Sequence, residues 1–457
     1  MPDPTETATG AAAALAAGEL SSAELTDEVL DRIEDTEPAL HAWFTVTAEL
    51  ARDQARALDA SSARGLLHGL PIGVKDLIDT AGVRTTYGSP RYVDHVPTTD
   101  AAVVAALRRA GAVLLGKHAT HELAWGGRTD SAFFGPTHNP YRLGHIPGGS
   151  SGGSAASVVA GSCLGAIGSD TAGSVRIPAA LSGCVGVKPS RGRISCEGVL
   201  PLAPSLDHIG VLARTVDDAA LLLDAVAAPT SVAAPDQLRF GWLRGWFEAV
   251  LDPGVRTVLE QVRTSLEDEG AVVHDIEVPD QPLMPAAVLT RILAEAGEFH
   301  RAAFEDDPSS FGADIAELMR GTPPTPDQLA GCSAATQRLG RHLLGALASC
   351  DVLVSATMPI TAPRIGARTV GVAGQEWRVE LLLTRLTSIY NATGLPAASV
   401  PVGLAGGLPV GLQLGGAFGH DAAVLDAARF VEQLCAPLPA PRLPGASRAG
   451  AGRPAWT

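Results

Sequence analysis

The sequence predicts an α/β protein, a wide sheet covered by helices. Two observations carry that prediction. The 457 residues are 46% apolar yet only 4% aromatic, with alanine, valine and leucine making up most of the apolar side chains, a composition that suits layered strands and helices. Short apolar runs such as GAVLLGK and GSCLGAIGSD stand between segments of helical period and read as buried strands. The length allows two or three average domains, and equally one large α/β domain.

In chain order, residues 9–62 read as helices. ALAAGELSSAELTDEVLDRI has helical periodicity, with a serine cap signal before its second half. Residues 1–66 are therefore read as a helical segment packing on the rest of the chain, and residues 67–435 as the main body. Within that body, residues 68–216 hold the densest motifs, and residues 226–237 (VAAPTSVAAPDQ) read as a surface loop. LRFGWL opens a second α/β stretch, continued by GVRTVLEQVRTSLEDEG as helix and AVVHDIEV as strand. Residues 283–345 read as helical with a proline-rich break at GTPPTP, and residues 436–457 form a Pro/Gly/Ala/Arg-rich tail expected to pack poorly. No internal repeat is visible.

Composition excludes some partners. A net charge of −15 opposes binding to nucleic acid and to anionic membranes. The opening MPDPTETATG has neither the basic region nor the apolar core of a secretion signal. Apolar stretches are interrupted well short of the ~18 residues a spanning helix needs. Cys163, Cys184, Cys196, Cys332, Cys350 and Cys435 contain no C-x₂-C pair, so they read as free thiols of a cytoplasmic protein. His118, His121 and Glu122, in HATHE, have metal-ligand types but not a zinc-motif order. With no G-K-[ST] and no G-x-G-x-x-G, no metal and no cofactor is expected.

The most informative stretch runs from Gly148 to Pro178: GGSSGGSAASVVAGSCLGAIGSDTAGSVRIP. It holds two glycine-flanked serines, Ser150 and Ser174, 24 positions apart. Glycine beside serine lets backbone come close to a ligand and aim its N–H groups at one point. A serine nucleophile needs a place to attack from and donors for the oxyanion it creates. Gly148 to Gly152 also matches the G-x-S-x-G elbow literally, but NPYRLGHIP before it is polar and proline-broken where that elbow expects an apolar strand. Only three of the 34 basic residues are lysine, Lys75, Lys117 and Lys188. A buried lysine can shed its proton and act as a base, which arginine cannot. Lys75 ends a short apolar run in GLPIGVKDLIDTAG.

Taken in order, GLPIGVKDLIDTAG, LLGKHATHELAWG, NPYRLGHIPGGSSGGSAAS, GSDTAGSVRIPAALSGCVGVKPSRGRIS, SLDHIGVLARTVDDAA, YNATGLPAASVPVGL and GLPVGLQLGG resemble the amidase signature hydrolases over nearly the whole chain. That resemblance implies one α/β/α domain around a large mixed sheet, with residues 283–390 as the variable, substrate-shaping region. It implies Ser174 as nucleophile, Ser150 as a bridging serine joined to Gly149 by a cis peptide bond, and Lys75 as terminal base. The N–H groups of Thr171, Ala172, Gly173 and Ser174 would form the oxyanion hole, and Asp170 and Arg176 would hold that loop. Alanine at 172, where the pattern often has glycine, fits if its φ is negative. Ser151 reads as a supporting hydrogen bonder, Lys117 and Lys188 as structural lysines, and Asp207 and His208 as positioning residues. Trp125, Gly126, Gly127, Phe133 and Tyr390 are the expected pocket residues.

The chemistry follows. A neutral lysine takes the proton of Ser174 through Ser150 and returns it to the leaving nitrogen, and water hydrolyses the acyl- or carbamoyl-enzyme. The family contains stand-alone hydrolases, to which HELAWGGRTD and YNATGLP are the more similar, and a glutamine-dependent amidotransferase subunit that works on tRNA with partner chains. The expectation is the stand-alone branch, a monomer or homodimer acting on small neutral amides and carbamates, urethanase-like. The alternatives are a non-catalytic binding protein and the amidotransferase subunit.

Overall fold

The computed structural model describes residues 6–62, 64–228, 238–281 and 284–444. Its N-terminal part is helical over Ala8–Ala17, Ser22–Leu40 and Ala48–Asp59. Ser21 and Glu24 form a reciprocal capping box that starts the second of these. One expectation fails here. Residues 9–62 are not helix throughout, because β1 (Trp43–Val46) interrupts them. WFTV is a short aromatic and β-branched run, and sheet pairing decides its conformation: β1 lies antiparallel to β3 at the sheet edge, with the Trp43 ring 4.0 Å from that of His118.

The strands that position the site come next. β2 (Pro71–Lys75) leads through the helix Ala102–Arg109 to β3 (Val113–His118), which lies parallel to it. After the small hairpin β4 (Asp130–Ser131) and β5 (Gly135–Pro136), the helix Gly152–Ala160 crosses to β6 (Gly165–Ser169), parallel to β2 on its other side. Every residue of β2, β3 and β6 is buried, as strands covered by helices on both faces require.

β7 (Val185–Lys188), β8 (Ile209–Ala213), β9 (Arg239–Leu243), β10 (Val272–Ile276) and β11 (Val352–Ala356) continue the sheet. The hairpin β12 (Thr369–Val372) and β13 (Gln375–Arg378) stands apart from it, and the long pair β14 (Ala397–Ala405) and β15 (Leu408–Gly416) completes it. The order is β1-β3-β2-β6-β8-β7-β14-β15-β11-β9-β10, eleven strands of mixed direction. This is the mixed sheet with flanking helices that was expected.

The strand readings of GAVLLGK, GSCLGAIGSD and AVVHDIEV hold, LRFGWL opens its α/β stretch as β9, and the helix read over GVRTVLEQVRTSLEDEG is found at Pro253–Asp268. The helical stretch after residue 283 breaks twice, giving Met284–Asp306, Ala313–Arg320 and Pro326–Ala346. The second break is the predicted proline-rich one, and Thr325 and Gln328 cap the helix that follows it. Most of the 226–237 loop and the tail beyond 444 lie outside the described residues. Among the described residues no helix is long and apolar enough to cross a membrane, and all six cysteines are free.

Candidate active site

Lys75 is the last residue of β2, and Ser169 the last of the neighbouring β6. Open α/β sheets bind ligands beyond the carboxyl ends of their parallel strands, and the expected site residues gather there. Lys75 is wholly buried. Its Nζ lies 2.6 Å from Ser150 Oγ and 2.8 Å from Ser169 Oγ, and it forms no ion pair among the described residues. Burial pushes its pKa down to about 7, against the pull of Asp170 and Asp207. A lysine surrounded by hydroxyls rather than carboxylates can stand neutral near pH 7.

Ser150 follows a cis Gly149–Ser150 peptide bond. The segment before it packs against backbone. Gly148 has φ +87°, and a Cβ there would come within 2.8 Å of Pro178 Cα. Thr129 Oγ1 lies 2.9 Å from the Gly148 carbonyl oxygen and 3.2 Å from that of Ser150. The N–H of Ser151 donates to the Ser174 carbonyl at 3.1 Å, joining the two serine motifs, and its hydroxyl donates to the Ser169 carbonyl at 3.2 Å.

The loop from Asp170 to Ser174 is held by hydrogen bonds along its length. Thr171 Oγ1 donates to Asp207 Oδ1 at 2.6 Å, and Thr387 Oγ1 donates to the Ala172 carbonyl at 2.6 Å. The Gly173 N–H donates to Asp170 Oδ1 at 2.8 Å, and Asp170 and His208 exchange a reciprocal pair of backbone hydrogen bonds. Gly173 is therefore turned towards Asp170. The N–H groups of Thr171, Ala172 and Ser174 have no partner among the described residues. Ala172 is absent from the left-handed region, so its methyl group is accommodated, whereas Gly173 has φ +129°. Ser174 is 6% exposed while Lys75 and Ser150 are at 0%, so of the three it is the one that meets the surface.

Beneath the loop, Asp170 and Arg176 form a fully buried ion pair, Arg176 Nη2 to Asp170 Oδ1 at 2.9 Å. Arg176 also donates to Gln413 Oε1 at 2.8 Å, to the Thr387 carbonyl at 3.0 Å and to Asn391 Oδ1 at 2.7 Å. The Asn391 side-chain amide returns to Asp170 Oδ1 at 2.8 Å. Burial alone would raise the Asp170 pKa, but Arg176 outweighs it and holds the carboxyl well below its ordinary range. Burial, with Lys188 adding to it, pushes the His208 pKa down to about 2. Lys117 ties down the loop after β2 through the Ile78 carbonyl, Thr80 and Thr85.

The pocket expectations divide. Trp125, Gly126 and Gly127 lie on the segment that packs against Gly149, where a Cβ would come within 2.9 Å of the Gly127 carbonyl carbon. Phe133 stands 53% exposed on the β4–β5 hairpin, edge-on to Phe134. Tyr390 is wholly buried behind the Arg176 network and against Gly415, where a Cβ would meet its ring. It backs the loop and offers no face to a substrate. The wall beside Gly127 is charged: Glu380 Oε2 accepts from the Gly127 N–H at 3.0 Å, and buried Arg128 pairs with Asp130, Asp314 and Glu380. His121, Asp130 and Asp314 have metal-ligand types close together. Arg128 donates to both of these carboxylates, so a guanidinium already supplies the cation.

Sequence reasoning missed Ser169, Thr387, Gln413 and the Arg128 network. Ser169 directly precedes DTAGS, at the end of a predicted strand next to that of Lys75, and could have been found from that placement. Thr387 and Gln413 lie more than 200 residues from their partners Ala172 and Arg176 and carry no local signal.

A family model described as Amidase matches residues 24–425. The A-type subunit of the glutamyl-tRNA(Gln) amidotransferase from Roseiflexus sp. (strain RS-1) is 38% identical over 89% of this chain and 92% of its own. Among solved structures, one described as an amidase superposes with a TM-score of 0.88 at 32% identity, covering 94% of this chain and 100% of that one. The corresponding A-type amidotransferase subunit from Thermotoga maritima superposes with a TM-score of 0.80 at 29% identity, covering 97% and 99%.

Proposed function

The chain belongs to the amidase family, and from that premise we propose that it cleaves the C–N bond of a carboxamide through an acyl-enzyme on Ser174. One observation carries this reading: Lys75, buried and free of ion pairs among the described residues, has its Nζ 2.6 Å from Ser150 Oγ. The neutral amine takes a proton from Ser150 as Ser150 takes one from Ser174, and Ser174 Oγ attacks the carbonyl carbon. The N–H groups of Thr171, Ala172 and Ser174 receive the oxyanion, a contribution worth roughly 10²–10³ in rate for a single donor. The proton returns along the same relay to the leaving nitrogen. Water then hydrolyses the ester and regenerates Ser174.

For the substrate, the curated relatives support glutamine, with this chain as the A-type subunit of an amidotransferase working with partner chains. The charged wall of Arg128, Glu380 and Asp130 fits that better than it fits the small neutral amides and carbamates expected from the sequence. A second reading, a stand-alone hydrolase of small amides or carbamates, is favoured by the amidase structure that superposes at 0.88.

One experiment separates them. The purified chain is given glutamine, a neutral aryl amide and its matching aryl carbamate, with Ser174→Ala and Lys75→Ala as controls. Release of ammonia from glutamine alone, or no turnover without partner chains, supports the amidotransferase reading. Turnover of an aryl substrate that both variants abolish supports the stand-alone hydrolase. Turnover unchanged in Ser174→Ala would overturn the acyl-enzyme itself.

A further inference from the structure

The helix Val379–Leu383 turns two faces to different neighbours. Glu380 and Leu383 meet Gly127 beside the serines. Leu381, and Arg385 just past the helix end, instead line a separate cavity of about 490 Å³, together with Trp246, Val250, Asp280 and Trp377. None of the residues from Asp170 to Arg176 borders it.

Arg385 is the unusual member. It is only 5% exposed, and its guanidinium carbon lies 4.3 Å from the Trp246 ring centroid and 5.5 Å from that of Trp377. Its single hydrogen bond among the described residues runs from Nη2 to the Trp246 carbonyl at 3.1 Å. Its buried Nε has no partner among them, and neither have the buried indole N–H groups of Trp246 and Trp377. All three side chains line this one space, while these three N–H atoms themselves are enclosed behind its surface. The only carboxylate in the lining, Asp280, is exposed at the rim and forms no ion pair among the described residues. A buried cation calls for a paired, hydrogen-bonded anion, and a planar guanidinium fork matches a carboxylate in two-point geometry. The remaining walls are indole and aliphatic apart from Gln375.

We propose that this cavity binds a small organic anion, a carboxylate carried on an apolar or aromatic body, with Arg385 receiving the carboxylate and the two indoles bordering the body. A single guanidinium in a lining whose other polar side chains are Gln375 and Asp280 suits a monoanion rather than a phosphate dianion. The assignment goes beyond the proposed amide cleavage and does not depend on the role of Ser174.

The test is calorimetric titration of the full-length protein at pH 7 with phenylacetate, and with 2-phenylethanol as its neutral counterpart. Phenylacetate binds saturably, one per chain and at least tenfold tighter than 2-phenylethanol. Arg385→Gln weakens phenylacetate binding at least tenfold and leaves 2-phenylethanol unchanged. Asp280→Asn, a rim substitution that leaves the core intact, tightens phenylacetate binding severalfold by removing a like charge. Equal affinity for the acid and the alcohol overturns the proposal. So does phenylacetate binding that Asp280→Asn leaves unchanged, and this second criterion holds even where Arg385→Gln fails to fold.

Discussion

Lys75 Nζ and Ser150 Oγ lie 2.6 Å apart, and no carboxylate among the described residues pairs with the amine. The contact sets the direction of the pH dependence. Lys75 must be neutral to accept a proton, and its pKa is lowered to about 7, chiefly by burial. Activity is therefore lost below that value as the amine protonates, so kcat/KM should rise about tenfold per pH unit up to pH ~7 and then level off. Lys75→Arg keeps the charge but cannot lose it, and should cost about 10²–10⁴ in kcat/KM at every pH. A profile with no acidic limb near pH 7 would remove Lys75 as the base.

Ser169 is the second partner of the same amine, at 2.8 Å. Its hydroxyl stabilises the ammonium form, so Ser169→Ala should lower the Lys75 pKa further and move the acidic limb to lower pH. With Ser150 still in place, kcat should fall by about tenfold, as for one lost positioning hydrogen bond, while KM changes little. An acidic limb left where it was would show that Ser169 does not govern the titrating group.

How much of this was legible before the structure depends on how far apart the partners lie. Lys75, Ser150 and Ser174 each stand in a dense local motif, and the strand that ends in Lys75 announces itself as a short apolar run. The loop that Asp170 and Arg176 brace was equally readable, because both lie within the same stretch. Thr387, Asn391 and Gln413 reach that loop from the other end of the chain, where only the sheet order brings β14 and β15 round beside β7. Tyr390 was misplaced for a related reason: an aromatic residue in a motif reads as pocket lining, but here its ring fills the space against Gly415. β1 went unread because a four-residue strand between two strong helices carries too little period of its own.

The Asp170–Arg176 pair should dominate local stability. Both side chains are fully buried, so Asp170→Asn strands a charged guanidinium and should cost about 3–5 kcal/mol, read from urea denaturation at pH 7. The pair also leaves a signature in acid. The folded-state pKa of Asp170 lies below its ordinary value of 3.8, so its contribution is fully present above that value and is lost as pH falls through the folded-state value. Asp170→Asn should flatten that part of the stability curve. An unchanged midpoint at pH 7 would mean that the pair contributes nothing net.

The last prediction sets Gly173 against Ala172, neighbours with opposite backbone demands. Gly173 has φ +129°, and a Cβ on it would come within 2.3 Å of Thr387 Oγ1. Thr387 cannot yield without releasing the Ala172 carbonyl it holds at 2.6 Å. Gly173→Ala should therefore displace the N–H groups on either side of it, at Ala172 and Ser174, and lower kcat by about 10²–10³, the range for a lost oxyanion donor, with little change in KM. Ala172 lies outside the left-handed region, so Ala172→Gly meets no steric demand and should cost only about 0.4–1 kcal/mol through the freer unfolded chain. Steady-state kinetics and thermal melts on the two single variants decide the matter. A Gly173→Ala enzyme with normal kcat would show that the oxyanion is received somewhere other than this loop.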